Sequence, residues 1–329
     1  MMMRIKRFFR VSYVVIALFF FATGSGIATE KVDKVVLTSP FSPLAMPMAY
    51  IVENNLLKDV ANNVELVIWN TPDQLMAMIT KGQAQFLSIP SNTASIFYNK
   101  GVPLKLVRVS IWGVFYIISS DTSVKSLSDL KGQEIYVPFR GNQPDLMFQT
   151  VCRTQGLDPF KDFHIQYVSS PLDITMSLLA GKIKYAFTLE PGAALAIMKA
   201  KQKGMVFKRV IDIQKEWGRA TGGSPKFPNA GVVALPNVLK SPAVVDAFLK
   251  AYDAGVKWSV NNPKDAALLA AKHVKGVNAA AFEDALKYTI FESVSGKDSR
   301  KALEVMFSRF MKLNPKSIGG KLPDEGFYY

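Results

Sequence analysis

The sequence has very little of the residues on which disulfide and metal chemistry depend. Cys152 is the only cysteine among 329 residues, so no disulfide can form within the chain. It lies among apolar residues at helical spacing, which predicts a buried, unreactive thiol. The two histidines, His164 and His273, have no carboxylate or second histidine at metal-ligand spacing. We therefore expect neither a metal site nor histidine-based catalysis.

Motifs of nucleotide-dependent and hydrolytic enzymes are also missing. After the N-terminal segment, the chain has no G-x-S-x-G elbow, no phosphate loop ending in Gly-Lys-Ser/Thr and no G-x-G-x-x-G fingerprint. We accordingly predict no catalytic residue and no cofactor. Together with the features below, this lack favours a protein that binds a ligand over one that turns it over.

Residues 1–28 have the three parts of a secretory signal. Four basic residues and no acid precede an apolar stretch from Val11 to Ala22, and the following residues are small and glycine-rich. The stretch is shorter than the roughly 20 residues of a membrane span, although an uncleaved anchor remains the alternative. No cysteine follows it, so we expect no lipoprotein attachment. We predict cleavage near Ala28 and a periplasmic protein.

The chain is basic, but its basic residues are dispersed. The formal net charge is +14, and residues 1–28 contribute four of these charges. The densest cluster, from Lys199 to Arg209, is typical of a solvated helix end, and no basic tract is interleaved with aromatic residues. We expect no nucleic-acid partner and a monomeric protein that handles a small solute.

Strand and helix patterns alternate in two successive blocks, from Lys34 to Gly101 and from Ser126 to Ile211. This βαβ pattern predicts parallel sheets covered by helices. Between the blocks, Leu104 to Ser119 reads as two strands broken at Trp112-Gly113. Ala230 to Leu235 reads as a return strand, and everything from Ser241 onward reads as helical.

The predicted fold class is α/β, of the type II periplasmic-binding kind, with two lobes joined by a two-segment hinge. The predicted division is a signal at 1–28, one lobe formed by 29–117 plus 230–329, and a second lobe formed by 118–229. The chain would cross between the lobes near Phe115–Ser120 and Lys226–Val232. Two crossings form a hinge, and hinge closure can trap a ligand.

The candidate site follows from the predicted sheets, because ligands bind beyond the carboxyl ends of parallel strands. Helix N-termini at those places present free N–H groups and favour an anion. The predicted ligand-binding residues are Ser39, Phe41, Ser42, Trp69, Asn70, Pro90, Ser91, Asn92, Thr93, Trp112, Phe139, Arg140, Gly141, Asn142 and Glu190.

Several of these residues have a structural alternative. Ser91, like Thr71, could cap a helix. Arg140 could clamp a sulfonate or carboxylate, or form a salt bridge with Asp145. Glu190 could accept from a ligand amine, or simply be favoured at a helix start. The aromatic side chains could stack on a flat ligand or pack in the core, and packing is favoured for Trp112.

Four segments carry a resemblance to a known family: Ser39 to Pro43, Gly82 to Phe86, Ser128 to Gly132, and Leu189-Glu190-Pro191. They resemble the nitrate/sulfonate/taurine-type substrate-binding proteins of ABC importers, a family that also includes binders of thiamine-precursor pyrimidines. The resemblance extends from about Val35 to Lys312. The Ser-Asp-Leu-Lys-Gly and Glu-Pro motifs are its most specific parts.

The resemblance implies capture of a small molecule, sulfonate- or aminopyrimidine-like, in an interlobe cleft. It also implies handover to a membrane permease and its ATPase. The family's ligand positions fall on Phe41, Ser91, Asn92, Arg140 and Glu190. Pyrimidine-synthesising members use a cysteine-rich segment and a nucleophilic histidine, whereas this chain has one cysteine and a predicted signal. A ligand-sensing module or a low-turnover exported enzyme that uses the same cleft is the alternative function.

Overall fold

The computed structural model describes residues 31–69 and 71–329. Predictions for the segment 1–28 and for Asn70 lie outside the described residues. The strands are β1 (Val32–Ser39), β2 (Ala61–Ile68), β3 (Phe86–Pro90), β4 (Lys105–Gly113), β5 (Phe115–Ser119), β6 (Glu134–Pro138), β7 (His164–Val168), β8 (Tyr185–Leu189), β9 (Lys208–Asp212), β10 (Ala230–Ala234) and β11 (Ile290–Ser295).

Helices cover the strands. They are α1 (Ala45–Glu53), α2 (Pro72–Thr80), α3 (Ser91–Asn99), α4 (Gln143–Thr154), α5 (Pro171–Leu179), α6 (Gly192–Gln202), α7 (Ile213–Thr221), α8 (Pro236–Leu239), α9 (Pro242–Asn261), α10 (Pro263–His273), α11 (Ala279–Leu286) and α12 (Gly296–Leu313). Short 3-10 turns span Leu127–Leu130, Pro315–Ile318 and Glu325–Phe327.

The strands form two sheets, which confirms the predicted α/β class. The first sheet has six strands in the order β11-β4-β10-β3-β1-β2, and the second has five in the order β7-β6-β8-β5-β9. In each sheet the strands from βαβ units pair in parallel, β1 with β2 and β3, and β6 with β7 and β8. Strands β4 and β5, on either side of the first crossing, and the return strand β10 pair antiparallel with their neighbours.

The prediction that everything after Ser241 is helical is wrong at one place. Helix α11 ends at Leu286, and Ile290–Ser295 forms strand β11 at the edge of the first sheet, antiparallel to β4. The sequence Ile290 to Ser295 has two β-branched residues and two serines but no turn signal before it, so its apolar residues extended the helical pattern. Helix α7 was not predicted either.

The chain passes twice between the sheets, and both passages depend on a glycine with no room for a side chain. After Gly113, the last residue of β4, the chain enters β5, and the backbone N–H groups of Val114 and Phe115 donate to Gln214 Oε1 at 3.0 and 2.8 Å. A Cβ on Gly113 would lie 2.3 Å from Gln214 Cγ. On the return, a Cβ on Gly231 would lie 1.9 Å from the carbonyl oxygen of Arg108.

One continuous core lies beneath both sheets, and residues 31–329 form a single contact unit. The rings of Phe86 and Phe248 stack at 3.7 Å under the first sheet. Phe115, on the first strand after the crossing, contacts Phe227 at 5.6 Å, just before the return. Cys152 is buried and free, as predicted, and burial raises the pKa of its thiol.

Candidate functional site

Two helix N-termini, one from each sheet, meet at a single carbonyl. Helix α3 follows β3 of the first sheet, and the N–H of Ser91 donates to Asn229 O at 2.9 Å. Helix α4 follows β6 of the second sheet, and Gln143 Nε2 donates to the same oxygen at 2.8 Å. Asn229 directly precedes the return strand β10. The carboxyl edges of the two sheets therefore lie side by side here.

Buried polar atoms at this edge lack partners among the described residues. They are Oγ of Ser91, Oδ1 of Asn92 and Oδ1 of Asn229, on side chains that are at most 7% exposed. Asn92 is tied down at its other atom, because Nδ2 donates to Ser317 O at 3.2 Å. An unpaired polar group costs about 1–3 kcal/mol when it is buried. A group that supplied hydrogen bonds here would recover that free energy.

The helices at this edge also differ in capping. Thr71 Oγ1 accepts from the N–H of Gln74 in α2, as predicted, and Ser170 caps α5 in the same way. Helices α3 and α4 have no side-chain cap. The prediction that Ser91 caps α3 is wrong, because the helix begins at Ser91 itself and Pro90 precedes it. Free N–H groups at helix N-termini attract anions.

Predicted residues after β1 and β2 lie at the same edge of the first sheet. Ser39 is buried, and its Oγ donates to Pro40 O at 3.0 Å, while Ser42 Oγ accepts from the N–H of Leu44 at 3.3 Å. Trp69 Nε1 donates to Ser88 O at 3.3 Å, which holds the indole against β3. Phe41 is 41% exposed and contacts the ring of Phe282 edge-on at 5.3 Å.

The loop from Phe139 to Asn142 has an unusual backbone. Phe139 has φ +59° and Gly141 has φ +75°, so the loop turns sharply between β6 and α4. The N–H of Gly141 donates to Asp145 Oδ2 at 2.8 Å. The alternative salt bridge from Arg140 to Asp145 is wrong: no such ion pair forms, and the guanidinium lies over the Tyr167 ring at 5.1 Å. Asn142 is exposed beside it.

Glu190 has protein partners at both carboxylate oxygens. Arg209 Nε donates to Oε1 at 2.6 Å, and the N–H of Ala194 in α6 donates to Oε2 at 3.1 Å. The Glu190 side chain is fully buried and that of Arg209 is 9% exposed. Burial raises the pKa of Glu190, opposed by the Arg209 guanidinium and the Ala194 N–H. Glu190 thus closes the N-terminus of α6 and fixes Arg209.

The remaining predicted residues are spread around this edge. Pro90 and Thr93 lie half-buried at the start of α3. Trp112 is 7% exposed and belongs to the core, as the packing alternative predicts. Its Nε1 donates to Glu292 O at 3.0 Å, on the edge strand β11. Within residues 31–69 and 71–329, no group of three or more histidine, cysteine or acidic residues could hold a metal.

Three residues of the site were missed from the sequence: Gln143, Asn229 and Arg209. Gln143 and Asn229 each adjoin a proline, Pro144 and Pro228, at a predicted element boundary. An amide side chain beside a proline at an element boundary is the feature of the sequence that could have indicated these two residues. Arg209 lay inside the basic cluster that we interpreted as a solvated surface, and nothing local distinguishes it from its neighbours.

Two cavities lie away from this edge. One of about 510 Å³ is lined by Glu134 and Tyr185, which begin β6 and β8, so it lies at the opposite edge of the second sheet. Another of about 590 Å³ lies between α4 and α12, with Thr150 and Ser308 on its walls. Neither contains unpaired buried polar atoms, which is why the carboxyl edges remain the candidate site.

Comparisons with known proteins agree with this architecture. A model of the NMT1/THI5-like family matches residues 58–266. None of the curated proteins matches the sequence significantly. No helix of the described residues is long and apolar enough to cross a membrane.

Several solved structures share the fold. An ABC transporter protein from Parabacteroides distasonis is 23% identical, with a TM-score of 0.74 over 91% of this chain and 98% of that one. The periplasmic aliphatic sulphonate-binding protein SsuA from Escherichia coli is 14% identical, with a TM-score of 0.68 over 90% and 92% of the two chains. The periplasmic nitrate-binding protein NrtA from Synechocystis PCC 6803 is 14% identical, with a TM-score of 0.66 over 87% and 83%.

Proposed function

Because the chain belongs to the NMT1/THI5-like family, we propose that it is the extracytoplasmic solute-binding protein of an ABC importer. Its ligand is a small organic anion, held between the two sheets. The observation that carries this proposal is the meeting of the N-termini of α3 and α4 at Asn229 O, with the unpaired buried hydroxyl of Ser91 beside it.

The chemistry of this edge favours a negative group. The N-termini of α3 and α4 direct partial positive charge at one place, from two directions. Ser91 Oγ can donate a hydrogen bond, and Asn142 adds an amide at the start of α4. A ligand amine has less support, because Arg209 and the Ala194 N–H already occupy both oxygens of Glu190.

Exposed aromatic side chains define the rest of the candidate ligand. Phe41 is 41% exposed and Phe139 is 36% exposed, and each follows the carboxyl end of a strand. Large apolar side chains left this open can stack on a flat ring or cover an alkyl chain. The solved relatives that bind an aliphatic sulphonate or nitrate are consistent with the anionic part. An anionic aminopyrimidine combines both features.

Delivery and location follow from the same proposal. Periplasmic binding proteins are among the chains that share this fold. We propose that residues 1–28 direct export, that the rest acts as a monomer, and that an ABC permease with its ATPase receives the ligand. The predicted division into lobes, 29–117 plus 230–329 and 118–229, is proposed as the pair of bodies that closes on the ligand. The protein is proposed to bind without turnover.

A thermal-shift screen tests the proposal. The compounds are an alkanesulfonate, taurine, nitrate, a phosphorylated aminopyrimidine and choline as the cationic comparison. A ligand at 100 times its Kd should stabilise the protein by about 2.7 kcal/mol, so an anion should raise Tm and choline should not.

Two variants locate the site within that screen. Ser91→Ala removes the unpaired hydroxyl, which can donate to an anion, and should abolish the shift. Ser259→Ala is the matched control, since the Ser259 hydroxyl is equally buried and donates to Gly255 O of its own helix at 2.8 Å. A shift that survives in Ser91→Ala would place the ligand elsewhere, and a screen in which no anion shifts Tm would refute the proposed function.

A further inference from the structure

Helix α11 packs firmly on the first-sheet part of the molecule. Phe282 of α11 lies in one apolar cluster with Met46 of α1 and Ala266 of α10. The edge of the Phe282 ring also meets Phe41, which follows β1, at 5.3 Å. Both α1 and the residues around Phe41 follow directly from strand β1. The helix therefore moves with the first sheet.

A neighbouring face of α11 contacts the second-sheet part. Ala281 and Ala285 of α11 cluster with Ala194 of α6. Arg209 on β9 donates through Nη2 to Asp284 Oδ2 at 3.0 Å. Just beyond the helix, the Arg209 guanidinium lies 3.5 Å from the centroid of the Tyr288 ring. A further tie comes from β5, where the Tyr116 hydroxyl donates to Tyr288 O at 2.7 Å.

We propose that α11 is a lid across the mouth of the cleft and that Arg209, fixed by Glu190, is the latch that holds it shut. The inference rests on the proposed function, since a lid requires a ligand cleft. Arg209 is thus a positioning residue: it contacts the lid through Asp284 and Tyr288 and bears on the ligand only through the closed arrangement of the two parts.

The charges suit a latch that can open. Asp284 is 40% exposed, so its carboxylate can return to water at little cost when the lid parts. Arg209 keeps its partner Glu190, which is fully buried in the same part of the molecule. Opening therefore leaves no unpaired buried charge, whose cost would otherwise prevent it. The Ala194, Ala281 and Ala285 contact has no large interlocking side chains to withdraw.

The lid is also placed to respond to the ligand. Phe41 lies in the candidate site, is 41% exposed, and touches Phe282 on the inner side of α11. A ligand that packs against Phe41 would favour the position of α11 in which Arg209 reaches Asp284. A ligand shifts such an equilibrium only by its differential affinity for the two states.

Asp284→Asn tests the latch while leaving the buried Glu190–Arg209 pair intact. Glu283→Gln is the matched control, since Glu283 is the adjacent residue on α11 and forms no ion pair among the described residues. Spin labels at Lys203→Cys and Lys275→Cys, which follow α6 and α10 on the two parts, report the distance between them. Cys152 is buried and is left unchanged.

Without ligand, the parent and Glu283→Gln should give the same short distance distribution. Asp284→Asn and, separately, Tyr288→Leu should broaden it toward longer distances. In both of these variants the apparent Kd of a bound anion should rise by about fivefold or more, because less of the protein is in the binding-competent state. The expected weakening is confined to Asp284→Asn and Tyr288→Leu and absent from Glu283→Gln.

Distributions of Asp284→Asn and Tyr288→Leu that coincide with the parent would overturn the latch. A parent whose distance distribution without ligand is as broad and as long as those of the two variants would overturn it too. These distances are measured without ligand, and a protein that binds no anion would refute the proposed function in the thermal-shift screen instead. The two failures are therefore distinguishable.

Discussion

The local sequence around a residue at the carboxyl edges predicts only part of its hydrogen bonding. Thr71 precedes Pro72 in a standard helix start, and its capping bond forms as predicted. Ser91 has an equally good local signal, yet its hydroxyl is buried without a described partner while its N–H reaches Asn229. The cap prediction fails because the helix begins at Ser91 itself, and the Ser91 N–H is bonded to Asn229, which is distant in sequence.

The partners of Glu190 likewise could not be predicted from the residues next to it in sequence. From the sequence it is a carboxylate at a helix start that could meet a ligand amine. In the structure its partners are Arg209, on a separate strand, and the Ala194 N–H. The pairing of β5 with both β8 and β9 brings Glu190 and Arg209 together. No spacing rule along the chain encodes that pairing.

Glu190→Gln should therefore act on stability more than on ligand choice. Replacing one partner of a buried ion pair should lower the free energy of unfolding by about 3 kcal/mol, because Arg209 loses its buried counter-charge. Urea unfolding monitored by circular dichroism measures it.

Glu304→Gln is the control for this change. Its pair with Arg300 is about as close, at 2.8 Å, but the two side chains are 37% and 44% exposed. A surface pair of this kind contributes about 0–1 kcal/mol. Equal losses for the two variants, or a Glu190→Gln protein as stable as the parent, would contradict the role assigned to Glu190.

At the scale of elements, alternation and turn signals predicted most strands, because each βαβ unit carries its own periodicity. Leu104 to Ser119 was correctly divided at Trp112-Gly113 into β4 and β5. Strand β11 was missed, because an edge strand pairs on one side only and its residues need not alternate strictly. The apolar residues of β11 continue the apolar pattern of the helices after Ser241, so the segment was predicted as helical.

The return passage between the sheets depends on Gly231. A methyl group there would lie 1.9 Å from Arg108 O, a backbone atom that cannot turn away. Gly231→Ala should therefore force β10 from β4 and cost about 1–3 kcal/mol of stability, the usual penalty of overpacking. Thermal unfolding in a calorimeter gives the change.

Gly223→Ala serves as the comparison for Gly231→Ala. A Cβ at Gly223 meets only Thr221 Oγ1, at an ordinary 3.7 Å. Its stability should stay within about 0.5 kcal/mol of the parent, as surface substitutions usually do. If Gly231→Ala were as stable as Gly223→Ala, the close approach of β10 and β4 would not constrain the passage.

At the scale of the whole molecule, two sheets bring their carboxyl edges together at Asn229, which is where we propose that an anion binds. The sequence predicts the two sheets and their crossings through alternating patterns. It also predicts which loops carry the site, since loops after parallel strands are fixed by topology. It does not predict which atoms are left unpaired, because Gln143 meets Asn229, and Asn92 meets Ser317, only after both passages are made.

The central claim is that the N-termini of α3 and α4 together bind an anion, and isothermal titration of the protein with an alkanesulfonate tests it most directly. The parent should bind one anion per chain. Gln143→Leu, at the start of α4, should weaken binding by about tenfold or more, because the Gln143 amide bonds Asn229 O and so holds the N-terminus of α4 beside that of α3. Gln149→Leu, six residues further along α4, should bind like the parent. Binding that is unchanged in Gln143→Leu, or no binding of any anion to the parent, would contradict the account.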